Sequence, residues 1–194
     1  MRKKHEEARS VWSGFLALLC LCFYSLNPAL ANSFEERRVQ VGMKLFRTLL
    51  TSDLKLKEKV HGEKSIPVLM VYASDKDKAE SYRQQLESLF KNVKHYTFKV
   101  KSGSIQDLAS DKENQYAAIF FAQKIEDDEL SPVVKFGIDK KIIVFSPFEG
   151  DVERGVLGGI SVQATVRPLI NMLTLKKSNL SIKPFFLKVA KQYE

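Results

Sequence analysis

The stretch GVLGGISVQATVRPLIN, residues 155–171, decides how the rest of the chain is read. It joins two glycines to an alternating apolar run and then puts a proline inside a second apolar segment. Read as a phosphate-cradling loop it implies an enzyme; read as strand it implies the margin of a sheet. Gly150 and Gly155 have the spacing of a phosphate loop, but Val156 and Leu157 follow where Lys and Ser or Thr must reach the phosphates and the magnesium. No G-x-G-x-x-G follows a strand either, so the strand reading stands. Gly158 and Gly159 permit a bend and a close backbone approach where the strand begins. Ile160, Val162 and Ala164 alternate along it. Pro168 lacks a ladder donor, which makes residues 166–172 an edge strand or one paired on a single side. Asn171 ends that strand by offering its amide to the following turn.

Outward from this stretch the chain alternates strands with helices. Residues 68–72 (VLMVY), 117–121 (AAIFF) and 142–145 (IIVF) are continuous apolar runs, the mark of strands covered on both faces. Tyr96, Phe98 and Val100 alternate with polar residues and predict a strand with one wet face. Val39, Met43, Phe46 and Leu50 recur at helical spacing behind a Ser33–Glu36 capping box. Asp75 or Asp77 caps a helix with an inner stripe of Ala79, Tyr82, Leu86 and Leu89. Residues 126–136 predict another helix, with acids in its first turn where the dipole favours them. Residues 173–177 form a short helix, and Pro184 suits the first turn of a last one over residues 185–193. The expected fold class is a single α/β domain. It has a mostly parallel central sheet of about five to six strands, helices on both faces, and an antiparallel or edge strand pair near the C-terminus.

Residues 1–31 read as a signal peptide and residues 32–194 as the domain. Arg2, Lys3, Lys4 and Arg9 precede an apolar run of 16 residues, and Ala29-Leu30-Ala31 offers small residues for cleavage. The run ends at Asn27-Pro28, which is expected to break any helix, and it is short for a membrane anchor, which wants about 20 residues. The expected location is the periplasm, with cleavage near Ala31. Cys20 and Cys22 both precede that point, so the mature chain has no disulfide, thiol nucleophile or thiolate ligand. Removing four basic and two acidic residues from the 31 and 23 of the whole chain leaves 27 and 21, an excess of six. Outside the inner membrane such an excess points to anionic lipid, to an acidic protein face, or simply to a solvated surface.

Candidate chemistry is thin. His61 and His95 have no metal-ligand partner at i+4, and no serine sits in G-x-S-x-G. The acidic run Glu126-Asp127-Asp128-Glu129 lacks the alternate spacing and the glycine of a calcium loop. Asn179-Leu180-Ser181 matches a glycosylation acceptor on a three-residue pattern alone. No catalytic residue, metal ligand or cofactor is expected. Phe148, set between Pro147 and Glu149 in a loop where a strand ends, reads as part of a binding surface or small pocket.

KKIIVFSP, GVLGGISVQ, RPLINM and LSIKPFFLKVAKQY together resemble the YfiR-like family of small exported bacterial proteins. The matching positions are Gly158, Gly159 and Ile160; Ile170 and Asn171; Leu180 and Ile182; Leu187 and Ala190. Pro168 and Leu169 depart from the family pattern, as does the lack of cysteine in the mature chain, which removes any redox control seen in relatives. The resemblance implies an α/β fold and a non-catalytic regulator that acts on the outer part of a membrane-bound signalling protein, a diguanylate cyclase in the family's named members. The expected function is thus a periplasmic, non-enzymatic interaction protein linked to cyclic di-GMP, with Ser146, Phe148 and Pro168 as candidate partner or ligand surface. Nucleic acid is not expected as a partner; peripheral membrane contact and homodimerisation stay open. The alternative is a small-ligand binding module related to extracytoplasmic substrate-binding proteins, using the strand ends at residues 146–148 and 73–75.

Overall fold

Apolar runs that have no polar face form the centre of a sheet, and helices with one apolar stripe cover it. The computed structural model describes residues 27–62, 65–91, 93, 95–110 and 116–194. Residues 1–26 of the expected signal peptide, with both cysteines, lie outside the described residues. In chain order the helices are α1 (Asn27–Thr51), α2 (Lys76–Phe90), α3 (Ile105–Ser110), α4 (Asp127–Lys140), α5 (Met172–Ser178) and α6 (Pro184–Val189). The strands are β1 (Ser65–Tyr72), β2 (Thr97–Ser104), β3 (Ala118–Phe121), β4 (Ile143–Phe145), β5 (Gly158–Val162), β6 (Val166–Asn171) and β7 (Lys191–Tyr193). They form one seven-stranded sheet in the order β2-β1-β3-β4-β5-β6-β7. Pairing is parallel from β2 to β5, antiparallel between β5 and β6, and parallel again between β6 and β7. Residues 39–194 make up one compact unit, a single α/β domain.

The central strands are sealed on both sides: Val68, Met70, Ile119, Phe120, Ile143 and Phe145 have no exposed surface. On one face Phe46 of α1 meets Phe90, Phe120 and Phe145, and Arg47 donates to the Leu89 carbonyl at the end of α2. On the other face Gly137 of α4 lies so close to Val144 that an added Cβ would stand 2.5 Å from its Cγ2. Successive strand residues point to opposite faces, so α1 and α2 lie over the Phe145 side and α4 over the Val144 side.

Several expectations are corrected. Asn27-Pro28 opens α1 instead of breaking it, because a proline in the first turn gives up only an amide that has no helical partner anyway. Ser33 therefore lies inside the helix and not at its start. The last helix stops at Val189, where Ala190 turns extended (φ −73°, ψ 145°), and residues 191–193 add a strand instead. That addition takes the sheet to seven strands and leaves β6 flanked on both sides. Pro168 still fits. The Asn171 amide donates to Leu157 O, so by alternation the nitrogen at position 168 points away from β5, and β7 pairs only from Leu169 onward.

Gly158 and Gly159 are required by space. A Cβ on Gly158 would stand 2.7 Å from Leu49 Cδ2 and 3.0 Å from Phe145 Cδ2. One on Gly159 would stand 2.5 Å from Val152 Cγ2 and 2.9 Å from the backbone oxygen of Ser146, which has less freedom to retreat. Gly159→Ala is expected to lower stability by about 1–3 kcal/mol through overpacking. In urea denaturation it should move the midpoint with the slope unchanged. A midpoint equal to that of the parent would show that loop 146–152 can shift freely.

Candidate functional site at the strand ends

The order β2-β1-β3 sets a switch point. The chain leaves β1 towards β2 and leaves β3 towards β4, so the loops after these two parallel neighbours diverge and leave a crevice beyond their C-terminal ends. After β1 the chain runs through Ala73 and Ser74 to Asp75, whose carboxylate caps α2 by accepting from the Lys78 amide at 2.9 Å. After β3 it runs through Ala122, which donates to Val71 O, and reaches Gln123.

Gln123 bridges the crevice. Its Oε1 accepts from the amides of Ala73 (3.1 Å), Ser74 (2.9 Å) and Asp75 (3.2 Å), and its Nε2 donates to the Asp75 carbonyl (2.7 Å). Three backbone N–H groups thus converge on one neutral oxygen. Successive amides aimed at a point make a concavity that suits an anionic oxygen, and the N-terminus of α2 adds a positive end beside it. Ser74 and Asp75 are exposed and Gln123 is half-buried, so the place is open to solvent.

A second polar cluster follows β4. The Ser146 hydroxyl donates to Asp151 Oδ2 at 2.5 Å, and the Phe148 amide donates to Ser146 Oγ at 3.1 Å. Arg154 joins Asp151 to Asp127 at the start of α4. Asp151 and Ser146 have no exposed surface. The Asn171 side chain completes the loop: Nδ2 donates to Val152 O and Oδ1 accepts from the Thr174 amide, both at 2.8 Å, while Thr174 Oγ1 donates to Gly155 O. Asn171 is therefore the N-cap of α5 as well as the end of β6.

This cluster corrects the candidate surface. Ser146, Phe148 (8 % exposed) and Pro168 are all buried. Phe148 has no strand or helix of its own to hide it, but the loop folds back through Ser146 and Asp151 and seats its ring in the core. Of the expected ligand site, only residues 73–75 stay accessible. Gln123 and Asp151 were not singled out from the sequence. A polar residue directly beyond the buried run AAIFFA is the signal that marks Gln123.

The remaining candidates settle into structural places. His61 precedes β1 and His95 precedes β2, so both lie at the opposite end of the parallel strands. Among the described residues no group of three His, Cys, Asp or Glu could hold a metal ion. Within the acidic run, Asp127 pairs with Arg154 and Glu129 accepts from Gln106. Asn179 takes a left-handed conformation (φ 52°) as the C-cap of α5. The crevice lined by Val134, Gly137, Val144 and Leu157 has no room for a water molecule.

Beside the switch point, α2 is tied to β2 by charge. Arg83 Nε donates to Glu80 at 2.7 Å and Nη1 to Glu87 at 2.8 Å, while the Ser102 hydroxyl donates to Glu80 at 3.0 Å. The Arg83 hydrogen bond, helped by Ser102 and opposed by partial desolvation, holds the Glu80 carboxyl below its ordinary value; the same pairing raises Arg83. A lowered carboxylate stabilises the fold above its unfolded pKa and loses that contribution as pH falls through the folded value. The stability gap between the parent and Glu80→Gln, followed by thermal melts, should be open at neutral pH and close in acid below the ordinary glutamate range. A gap constant over that range would show that the ion pair contributes nothing.

No family model and no curated protein matches the chain. Its fold is similar to that of the ABC domain in complex with L-Trp from Streptococcus pneumonia, with a TM-score of 0.54 and 15 % identity. The alignment covers 79 % of this chain and 59 % of that one, so this chain spans less than two thirds of its neighbour's length. A conserved domain protein from Vibrio cholerae O1 biovar eltor aligns at a TM-score of 0.48 and 15 % identity, over 73 % of this chain and 58 % of that one. The first of these likenesses identifies the architecture as an α/β fold shared with a domain of that kind.

Proposed function

We propose that this protein is a non-enzymatic small-ligand binding module that takes a carboxylate-bearing metabolite at the switch point between β1 and β3. The observation that carries the reading is the convergence of the Ala73, Ser74 and Asp75 amides on a single oxygen. The ligand's carboxylate takes the place of the Gln123 carbonyl, and the Gln123 side chain swings aside as it enters. The fold neighbour in complex with L-Trp supports an amino acid or related acid as the ligand class.

A thermal-shift screen of amino acids and small organic acids tests this on the full chain. Ligand at a hundred times its dissociation constant adds ~2.7 kcal/mol, and in a domain of this size that raises Tm by about 5–10 °C. Gln123→Glu sets a carboxylate permanently in the nest, so it should abolish the shift while the circular dichroism stays native. An acid that stabilises both forms equally would move the site elsewhere, and a screen with no responder would remove the reading.

A second reading keeps the family resemblance: an exported periplasmic regulator of a membrane signalling partner such as a diguanylate cyclase. Val162 and Val166 favour it. They face each other across the tip of the β5–β6 hairpin and expose 47 % and 50 % of their surface, an apolar pair offered to a protein. Cyclic di-GMP in cells lacking the protein should rise, and only the form carrying residues 1–31 should restore it. An unchanged level on deletion would end this reading.

A further inference from the structure

The sheet has two edges, β2 and β7, and only one of them is guarded. Along β1, the Pro67 and Val71 carbonyls accept from Ala117 and Ala122 on the β3 side, so Val68 and Met70 turn their backbone to β2. The register then leaves Val100 and Ser102 of β2 facing out. Arg83 covers that edge by donating to the outward Val100 carbonyl at 3.4 Å, and Lys99 and Lys101 stand exposed beside it. At the other edge the Asn171 amide donates to Leu157 O, so Ile170 turns its backbone to β7 and bonds there to Lys191 and Tyr193. Gln192 between them presents both its N–H and its C=O to the open side. Its side chain is turned back onto α6, where Nε2 donates to the Leu187 carbonyl at 3.3 Å. Lys191 and Tyr193 share the opposite face of the strand, and both are exposed, as is Glu194.

We propose that β7 pairs antiparallel with β7 of a second copy of this chain, about a two-fold axis at Gln192, so that two sheets become one. A two-fold contact requires a surface that complements itself, and this edge does. Gln192 exchanges both backbone bonds with its own copy. Two residues away, the Glu194 N–H meets the carbonyl of Ala190, whose own N–H already donates to Phe186 O. The pair between these sets Lys191 opposite Tyr193, once on each side of the axis, with an ammonium beside each ring. Glu194 comes opposite Ala190 and next to Lys191 of the copy, so each chain brings one acid and one base to the seam. A strand pair of this length falls short of the ~1,200 Å² of stable complexes, so the flanking helices have to close over it. Both α5 and α6 pack beside β7. Leu173 on α5 and Phe185 and Val189 on α6 are each more than half exposed in the single chain.

Sedimentation of the full chain between about 1 µM and 1 mM should show a monomer–dimer equilibrium. Gln192→Pro removes the outward N–H and leaves the bonds of Lys191 and Tyr193 to β6 in place. It should weaken association roughly thirtyfold, the loss of one hydrogen bond from each copy, with the melting curve of dilute protein unchanged. Tyr193→Lys sets a lysine against Lys191 of the copy and should also weaken the dimer, and adding Lys191→Glu to it should restore association. A monomer throughout that range overturns the proposal, and so does a dimer that Gln192→Pro and Tyr193→Lys both leave intact. Where Gln192→Pro lowers the melting temperature, the charge pair decides alone: Tyr193→Lys without weakening, or without rescue by Lys191→Glu, overturns it.

Discussion

The fold depends on the contact that Phe46 makes at the centre of one face. Its ring is fully buried, with centroids 5.3 Å from Phe120, 5.8 Å from Phe145 and 6.4 Å from Phe90. Phe120 and Phe145 are register partners on β3 and β4 and stack at 5.8 Å, so one side chain from α1 sits over the seam of two parallel strands. Each such ring pair is worth about 0.5–1.5 kcal/mol beyond its buried area. The consequence runs outward. β5 joins β4 through the single pair Phe145↔Gly158, and that pair exists only because Gly158 has no side chain to meet Leu49 and Phe145. The antiparallel β5–β6 pair, and β7 beyond it, continue the sheet from that one pairing. The Asn171 side chain strengthens the joint by tying β6 to loop 146–157 and to α5 at once.

How much of this was legible in the chain depends on where each signal resides. The parallel strands were legible because burial on both faces leaves an apolar run with no alternation, and 68–72, 117–121 and 142–145 all show one. Pro168 was legible only locally: its missing donor leaves position 168 paired with β5 alone, but the expected edge or one-sided strand over residues 166–172 is corrected by β7, which pairs β6 from Leu169 onward. β7 was not legible. Lys191, Gln192 and Tyr193 carry no strand pattern, and what holds them extended is the open side of β6, a partner far away in sequence. The start of α1 was misread because Asn27-Pro28 has two meanings, a stop inside a helix and a start at its first turn, and only the flanking backbone distinguishes them. Phe148 was misread because a loop position suggests exposure, whereas Ser146 and Asp151 fold that loop over the core. Gln123 was marked only as a polar residue beyond a buried run; its role lay beyond reach for a topological reason, since its partners at 73–75 are set by which strand lies beside β3.

The two polar clusters at the strand ends differ in what it takes to open them. Asp151 is wholly buried and held by Ser146 and Arg154. Withdrawing a partner from a buried charge costs about 3–5 kcal/mol, so this loop is a closed piece of architecture. Gln123 makes neutral bonds at a half-buried position, each worth about 1 kcal/mol net, and water can replace it at the exposed Ser74 and Asp75 amides. On the proposed reading, a ligand would therefore enter at this end of the sheet by displacing Gln123.

The same contrast bears on what the nest prefers. Hydrogen bonds to an ionised acceptor are roughly twice as strong as neutral ones, so three amides give a carboxylate more than they give the Gln123 carbonyl. The positive end of α2 adds to that preference, since charges at a helix N-terminus are worth about 0.3–1 kcal/mol. The Asp75 carboxylate works against it, being of like sign and close, but it faces the Lys78 amide, which it caps. On the proposed reading, the nest would favour a negative oxygen without reading what that oxygen is attached to. If that reading holds, recognition of the remainder of a ligand would have to come from side chains above the crevice, where Gln123, released from the amides, would become a free donor and acceptor at the rim.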